Sequence, residues 1–521
     1  MKNYIKYIGI LALGMVACEP EFENPVDAAD AYSSGEADFS NYVALGNSLT
    51  AGYADNALYI SGQENSYPNI LAQQFAKVVE GDFDFAQPLM ADNAGGLLFG
   101  GQENPSFGNR LVLQTVITEN GDTIQAPRVY TGMAPTTEVL QQPLTGPFNN
   151  MGVPGARSFH LLAPGYGNPA GLAATPATAN PYFVRFASSP QTSIVEDAVA
   201  QQPTFFSLWI GNNDVLGYAT SGGLNEASIT NPQMFAGAYN QIVKSLVESG
   251  AEEGVLLNIP DVTDVPFFTT IPNNALVLTA EQAANLTGFF QAVSGIFTQV
   301  LIQQQQVPQE QAVQIASQYA LQFNAGPNRF VIDVPVTQTN PLGFRQMTEE
   351  ELLLFTIDRT KIPTQGYGSA AVSPAVMQVL GILQAGGQPT PEQAQMVLAA
   401  VNGIDDADAL DASEIENIRV ATEAFNETIL SAAQTYGLVH VDAAALLSTV
   451  AGEGISYDAG LVTSEFGKGG AFSLDGIHLT PRGYALVANK IIEGINATYN
   501  SSVPTVNAGN YATVTPSNDV D

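Results

Sequence analysis

The chain is 521 residues long, and its 45% hydrophobic and 13% charged residues predict a globular protein with a large core, which excludes an intrinsically disordered chain. The 50 acidic residues outnumber the 16 basic ones and give a net charge of −34, so the chain lacks the basic surface that a nucleic-acid partner requires. A single cysteine excludes a framework of disulfide bonds.

The first 17 residues have the pattern of an export signal. Two lysines precede an apolar run from Ile8 to Ala17, which is about half the length of a membrane-spanning helix. The run ends at Cys18, and residues 15–18 resemble the lipobox of a bacterial lipoprotein signal peptide, although that motif prefers leucine where Met15 stands. The alternative is that Cys18 is a buried, inert cysteine beyond a signal that is cleaved elsewhere.

The lipoprotein resemblance implies that Cys18 is the lipidated first residue of an exported protein, anchored to the cell envelope in the outer membrane of a Gram-negative bacterium. Residues 19–24 are acidic, which resembles the surface-export signals of Bacteroidetes-type lipoproteins. An anionic bilayer would repel so negative a chain, and the lipid would therefore supply the membrane attachment. We expect residues 18–39 to form an acidic, flexible tether.

Residues 40–261 contain the alternation of strands and helices that is typical of a parallel sheet. Apolar runs predict strands at 42–46, 204–210 and 255–259, and a helix with an apolar stripe over 235–246 lies between the last two. A strand, a helix and a second strand joined by short links form the βαβ unit of a parallel sheet.

The stretch between the first two predicted strands is less regular. Residues 112–117 and 123–124 flank Asn-Gly and predict a hairpin. Residues 149–157 are rich in glycine and proline, and they predict a compact turn.

Residues 262–412 interrupt the alternation and predict a mainly helical insertion. Apolar periodicity predicts a long helix at 279–304 and shorter helices at 349–355, 373–384 and 391–401. The stripe of the long helix fits either a lid or acyl-binding wall, or ordinary packing onto the core, and ordinary packing is favoured.

The sheet pattern resumes over 413–498, with a long helix, a strand at 438–442 and a last helix that has Pro481 at its first position. Together with residues 40–261, this segment predicts an α/β fold: a three-layer α/β/α sandwich around a parallel sheet of about five strands. Residues 499–521 are expected to form a polar C-terminal tail.

Ser48 follows the first predicted strand, at the sheet edge where open α/β proteins bind ligands. A serine hydroxyl becomes an effective nucleophile only beside a base, which is usually histidine. Of the three histidines, His440 lies inside a predicted strand and fits a structural role, and His160 lies among apolar residues as packing or as a pocket wall. His478 follows Asp475 by three residues, so a base and its orienting carboxylate could face the same cleft; a surface histidine in a helix-leading turn is the alternative.

Two other patterns do not predict sites. The glycine pairs at 95–96 and 100–101 suggest a phosphate loop, but neither lies between a strand and a helix or ends in Gly-Lys-Ser/Thr. The aspartates between Asp405 and Asp411 suggest calcium, yet the EF-hand spacing is missing, and a turn that caps the next helix explains them better.

Four short blocks follow one another along the chain: Gly46-Asn47-Ser48-Leu49, Asn-x-Gly-x-x-Gly at 150–155, Gly-x-Asn-Asp at 211–214 and Asp-x-x-His at 475–478. The ordered set resembles the four blocks of the SGNH hydrolases, also called the GDSL esterase/lipase family. The resemblance covers about residues 40–260 and 415–498. It departs at Asn47, where the family usually has aspartate.

The resemblance implies an SGNH/flavodoxin-like fold and assigns roles to five residues. Ser48 would be the nucleophile, His478 the general base and Asp475 the carboxylate that orients the imidazole. The backbone N–H groups of Ser48 and Gly155 and the side-chain amide of Asn213 would form the oxyanion hole. This mechanism needs no metal and no organic cofactor.

The resemblance implies a serine ester hydrolase that cleaves carboxylic esters through an acyl-enzyme on Ser48. The apolar insertion and the membrane tether favour an ester of a lipid or an acylated small molecule as the substrate. A carbohydrate O-acetylesterase that acts on an acetylated glycan is the alternative among enzymes. A non-catalytic surface lipoprotein that binds a glycan or another partner is the alternative from a different class, and the complete triad argues against it.

Overall fold

The structure is a computed structural model that describes residues 32–117, 121, 123–225, 228–303, 305–457 and 460–516. The predicted signal peptide, Cys18 and most of the predicted tether lie outside the described residues, as do the last five residues of the predicted tail. Within the described ranges, the chain has a mixed α/β structure built around a five-stranded parallel sheet.

The strands of the central sheet are β1 (Tyr42–Gly46), β2 (Asn150–Gly152), β3 (Phe205–Trp209), β4 (Glu253–Leu257) and β5 (Val439–Val441). Their order across the sheet is β5-β4-β3-β1-β2, and every neighbouring pair is parallel. Every residue of β1 and β3 is buried, as expected for inner strands of a sheet that is covered on both faces. The predicted parallel sheet of about five strands is therefore confirmed.

The α-helices in chain order are α1 (Ser48–Ala51), α2 (Ile60–Glu64), α3 (Tyr67–Phe75), α4 (Pro181–Val184), α5 (Ile194–Val199), α6 (Asn213–Ala219), α7 (Pro232–Glu248), α8 (Pro266–Thr269), α9 (Ala280–Gln303), α10 (Gln309–Ser317), α11 (Lys361–Gln365), α12 (Pro374–Gln384), α13 (Pro391–Leu398), α14 (Ala412–Tyr436), α15 (Ala443–Ala451) and α16 (Pro481–Tyr499). Helix α14 packs against α7 and β4, and α16 packs against α3 and β5. The predicted stripe of α7 is buried, because its apolar residues recur every three or four positions and so share one face.

Shorter strands form small sheets outside the central one. They are Leu97–Phe99 with Gln102–Glu103 and Thr137–Glu138, Leu111–Ile117 with Thr123–Val129, Leu276–Leu278 with Gly326–Asn328, Val331–Asp333 with Phe344–Gln346, Leu352–Leu353 with Ala409–Leu410, Ser369–Ala370 with Val401–Asn402, and Ile455–Tyr457 with Gly460–Val462. Short 3₁₀ turns cover Pro105–Phe107, Ser158–Leu162, Pro169–Ala173, Val262–Asp264, Asp406–Asp408 and Ala508–Asn510. The predicted hairpin at 112–124 is confirmed by the antiparallel pairing of its two strands.

The buried apolar side chains form two large clusters. One surrounds the central sheet, and the other is made of residues between Ile271 and Ala409. The predicted stripe of α9 supplies Phe289, Phe290 and Phe297 to the second cluster. The stripe therefore packs into a hydrophobic cluster. Packing was the role favoured over a lid or acyl-binding wall.

Helix α9 also has the length and mean hydropathy of a membrane-spanning helix, and among the described residues it is the single helix that does. Its apolar side is buried against α10 and α13. Core helices of soluble proteins pass the same length and hydropathy test, so this property adds no evidence for a span.

Two sequence predictions were wrong in detail. The segment 149–157 was predicted as a turn alone, but its residues Asn150–Gly152 form the edge strand β2. The segment 349–355 was predicted as a helix, but Leu352 and Leu353 pair with Ala409–Leu410 instead. By contrast, the prediction that the aspartate cluster at 405–411 caps a helix is confirmed, because the Asp411 carboxylate accepts hydrogen bonds from the first turn of α14.

Candidate active site

Ser48 is the first residue of α1, two positions after the end of β1. Because β1 lies between β2 and β3, this places Ser48 at the carboxyl end of an inner strand. The turn requires glycine at position 46, since a Cβ atom there would collide with the side chain of Thr50 and the backbone of Trp209. The Asn47 side chain caps the short helix by accepting a hydrogen bond from the Leu49 N–H at 3.0 Å.

The structure brings three of the sequence-predicted residues into one chain of hydrogen bonds. The Oγ atom of Ser48 lies 2.9 Å from Nε2 of His478, and Nδ1 of His478 lies 2.9 Å from Oδ2 of Asp475. His478 precedes α16, whose N-terminus is capped by Thr480, and the ring of Tyr53 packs 4.7 Å from the imidazole. The three side chains therefore have the order and spacing of a nucleophile, a base and an orienting carboxylate.

The Asp475 carboxylate is held by several donors. Its Oδ1 atom accepts hydrogen bonds from the backbone N–H groups of Ile477 and His478 at 2.8 Å each and from the Ser473 hydroxyl at 3.1 Å. Burial raises the pKa of Asp475, but the neighbouring His478 charge and these hydrogen bonds outweigh it and hold the pKa well below its usual range. Asp475 is therefore ionised at any pH at which such an enzyme would work.

Gly155 and Asn213 lie on two different segments, which a hydrogen bond between Asn213 and Ala156 joins. Asn213 begins α6 and lines the same pocket as Ser48 and His478. One N–H of its amide donates to the Ala156 carbonyl at 2.9 Å, which leaves the second N–H for another acceptor. Gly155 is exposed and has a φ of +80°, and among the described residues its backbone N–H has no hydrogen-bond acceptor.

Asp214, which has no predicted role, links the two segments that carry Gly155 and Asn213. Its carboxylate is fully buried and accepts hydrogen bonds from the Ser158 N–H at 2.9 Å and the Ser158 hydroxyl at 2.7 Å. Because Asp214 is adjacent to Asn213, and Ser158 lies three residues after Gly155, this contact fixes the two segments to each other. The sequence signal for Asp214 was its place in the block Gly-x-Asn-Asp, directly after the predicted donor Asn213.

Asn47, the position where the sequence departs from the SGNH pattern, has a structural consequence. Its amide Nδ2 donates to Oδ1 of Asn212 at 3.3 Å, so it links the serine turn to the segment that carries Asn213. An ionised aspartate has no donor for this contact. The substitution therefore exchanges a negative charge beside Ser48 for a neutral hydrogen bond.

The other two histidines lie away from Ser48. His160 accepts a hydrogen bond from the Arg157 N–H at 3.1 Å and stacks on Tyr166. Burial and the nearby Arg157 charge lower the pKa of His160 to about 4. His440 lies on β5, where burial lowers its pKa. Neither histidine lines the pocket of Ser48, which agrees with the packing roles that the sequence favours.

A pocket opens beside Ser48 and His478, and its walls are mostly apolar. They include Leu216, Val262, Val265, Leu447, Phe472 and Leu479. The space within it that the centre of a water-sized sphere can occupy is about 40 Å³. A single water needs roughly 10–15 Å³ of such space, so the enclosed part of the pocket has room for a few heavy atoms.

The resemblance makes Asn213 an oxyanion donor of an ester hydrolase. In that role, Asn213→Ala is expected to lower kcat for ester hydrolysis by about 10²–10³-fold with little change in KM, because a preorganised donor acts mainly in the transition state. Steady-state kinetics on a p-nitrophenyl ester would measure this. Asn212→Ala is the matched control, since it also loses one side-chain hydrogen bond, to Asn47, and it should cost far less. A reversed order of the two effects would show that the donor has been assigned to the wrong asparagine.

The arrangement places a serine hydroxyl against a histidine nitrogen, with the Asn213 amide and a small, mostly apolar pocket beside them. These are the parts needed to transfer an acyl group to serine and then to water. No family model, curated protein or solved structure matches the chain, so the argument from here depends on its own residues and geometry.

Proposed function

We propose that the protein is a serine ester hydrolase of the SGNH type. The hydrogen bonds from Ser48 through His478 to Asp475 are the single observation that carries this proposal. The four ordered sequence blocks support it independently. In this interpretation residues 40–261 and 413–498 form a three-layer α/β/α catalytic core, and residues 262–412 are an insertion with its own hydrophobic cluster.

The mechanism follows from the three side chains. Ser48 Oγ attacks the ester carbonyl carbon while its proton passes to Nε2 of His478, and Asp475 stabilises the imidazolium. The resulting oxyanion accepts hydrogen bonds from the N–H groups of Ser48 and Gly155 and from the Asn213 amide. The imidazolium then protonates the leaving alcohol, and an acyl-enzyme remains. Water then attacks the carbonyl carbon of this ester and gives a proton to Nε2 of His478. The imidazolium returns that proton to Ser48 Oγ as the bond between Oγ and the acyl carbon breaks, which releases the acid and free Ser48.

The size of the pocket favours a short acyl group. The volume of an acyl chain grows with each methylene, and a long chain exceeds the enclosed volume of the pocket. Acetyl and propionyl groups fit this volume. We therefore favour an O-acetylesterase that acts on a carbohydrate or a small molecule over a long-chain lipase. The apolar walls suit the methyl end of such a group.

A series of p-nitrophenyl esters with acyl chains of two to twelve carbons would test this function. We expect kcat/KM to be highest for the shortest chains and to fall steeply with length, because a long chain cannot enter the pocket. Acetate release from acetylated xylan, measured with the same preparation, would separate polysaccharide substrates from small esters. A maximum at ten or twelve carbons would instead support a lipase, and inactivity on every ester would support the non-catalytic binding lipoprotein.

The proposed location is the cell envelope, through a lipid on Cys18. Metabolic labelling with a fatty-acid analogue should mark the wild type. Cys18→Ser should abolish the label and release the protein from the membrane fraction, since a net charge of −34 disfavours binding to an anionic bilayer. Ester hydrolysis by the released protein would serve as the control for folding. Unlabelled protein that stays in the membrane fraction would rule out Cys18 as the anchor.

A further inference from the structure

The turn that follows α1 contacts the loop of Asp475. Its residues Asp55 and Asn56 have φ angles of 52° and 63°, in the left-handed region that aspartate and asparagine tolerate best after glycine. The Asn56 N–H donates to Oδ2 of Asp475 at 2.9 Å, and the Asp55 N–H donates to the Ser473 hydroxyl at 2.9 Å. Ser473 in turn donates to Oδ1 of Asp475. The turn thus reaches both oxygens of Asp475, one directly and one through Ser473.

The side chain of Asp55 is the centre of a buried network. Its Oδ1 atom accepts a hydrogen bond from the Leu474 N–H at 2.9 Å, and its Oδ2 atom accepts from the Arg110 guanidinium at 2.6 Å and the Tyr59 hydroxyl at 2.9 Å. The guanidinium lies 3.6 Å from the centre of the Tyr59 ring and also donates to Thr515 at 2.7 Å. Only 2% of the Arg110 side chain and 5% of the Asp55 side chain are exposed.

A buried ion pair is a costly way to stabilise a fold. The loss of hydration of two charges commonly cancels their attraction, and apolar residues of the same size hold a core together at least as well. This chain has only 16 basic residues, and Arg110 is among the largest of the fully buried side chains in the described part of the chain. What the pair gives that apolar residues cannot is directional bonding, and its bonds reach Leu474, the residue just before Asp475.

We propose that Asp55, Arg110 and Ser473 are positioning residues that fix the carboxylate of Asp475 in the orientation in which it faces His478. The Asp55 carboxylate holds the loop through Leu474, Arg110 holds that carboxylate, and Ser473 carries the contact to Asp475. The consequence for catalysis rests on the proposed hydrolase function. The effect on the geometry of the Asp475–His478 hydrogen bond is independent of that function.

Ser473→Ala tests the inference without leaving a buried charge unpaired. We expect kcat for p-nitrophenyl acetate to fall roughly tenfold, as the loss of one hydrogen bond to a charged group does. KM and the concentration of active sites, measured from the p-nitrophenolate burst, should stay unchanged. Ser207→Ala is the matched control, because Ser207 is also a fully buried serine, and its hydroxyl bonds Tyr42 within the sheet. A merely structural role for Ser473 would lower the thermal midpoint, or the number of active sites, and leave kcat per site intact.

A second measurement does not require activity. The proton between Nδ1 of His478 and Asp475 should give a far-downfield proton NMR signal, identified by its loss in His478→Ala. We expect Ser473→Ala and Asp55→Asn to move or abolish this signal, since asparagine keeps the left-handed backbone at position 55 but loses the ion pair. Ser207→Ala should leave it in place. An unmoved signal and unchanged kcat in both variants would overturn the inference. A signal that moves in a protein inactive on every ester would uphold the positioning role and reject the hydrolase.

Discussion

Ser48→Ala should lower the rate of p-nitrophenyl acetate hydrolysis by about 10⁶-fold, the scale on which the loss of a triad nucleophile acts. The Oγ atom that alanine lacks is the atom that faces Nε2 of His478 at 2.9 Å, and it is the one that must form the acyl-enzyme bond. Only 7% of Ser48 is exposed, but the change removes one atom and creates no buried charge, so the fold should persist. Initial rates and circular dichroism would measure the two effects.

Covalent labelling gives the same prediction a direct readout. A fluorophosphonate probe should modify Ser48 in the wild type, as located by mass spectrometry, and should not modify Ser48→Ala. Ser245→Ala is a suitable control, because Ser245 lies on α7 and its hydroxyl bonds only its helix neighbour Gln241 among the described residues. Equal turnover by the wild type and Ser48→Ala would reject the nucleophile and favour the binding lipoprotein.

Four of the five central strands were predictable: three lie in mainly apolar runs, and β5 has two valines that flank His440. β1 and β3 are buried at every position, so their side chains need not alternate between polar and apolar. β2 gives no such signal, since Asn150–Gly152 is short, partly polar and followed by glycine and proline. It becomes a strand because the edge of β1 supplies a partner, with Ala44 opposite Asn150, and because the Asn150 amide donates to the Thr50 carbonyl at 3.0 Å.

The segment at 349–355 shows tertiary contacts overriding local propensity. Its leucines and glutamates favour a helix in isolation. In the fold, the Glu351 side chain is completely buried, where it forms an ion pair with Arg345 and accepts hydrogen bonds from the N–H groups of Thr348 and Ala412. A helix would turn this carboxylate away from its partners. The strand could not be predicted from the sequence, because the position of Arg345 beside Glu351 is set by the folded chain.

The residues of the candidate active site were predictable as a group because they occur in short blocks with recognisable spacing. Ser48 and His478 are 430 positions apart, yet each block places its residue at the end of a strand or the start of a helix. The residues behind Asp475 had no such signal. Asp55 and Arg110 stand in no block, and the bond from the Asp55 N–H to Ser473 spans 418 positions, so only the folded chain shows that they meet.

Asp475→Asn should lower kcat for p-nitrophenyl acetate hydrolysis by about 10⁴-fold, while the fold and the pocket beside Ser48 stay intact. The retained Oδ1 would still accept the N–H groups of Ile477 and His478, which places the new NH₂ group where Oδ2 now faces Nδ1. The hydrogen bond from the Asn56 N–H to Oδ2 would be lost. An amide donor there needs Nδ1 to be an acceptor, and the proton of the neutral imidazole is then on Nε2. Nε2 cannot accept the Ser48 proton in that tautomer.

The low pKa of Asp475 makes the same test specific for charge. The wild-type carboxylate is ionised throughout the working range, so acidification cannot imitate the variant until the pH is far below neutral. Asp358→Asn is the matched control, because Asp358 is exposed and its carboxylate accepts a hydrogen bond from the Thr360 N–H. This variant should keep full activity. Pre-steady-state kinetics with p-nitrophenyl acetate should show that Asp475→Asn slows acylation itself. A variant that acylates within about tenfold of the wild-type rate would mean that the Asp475 charge does not set the tautomer of His478, because a tautomer effect of this kind costs about 10⁴.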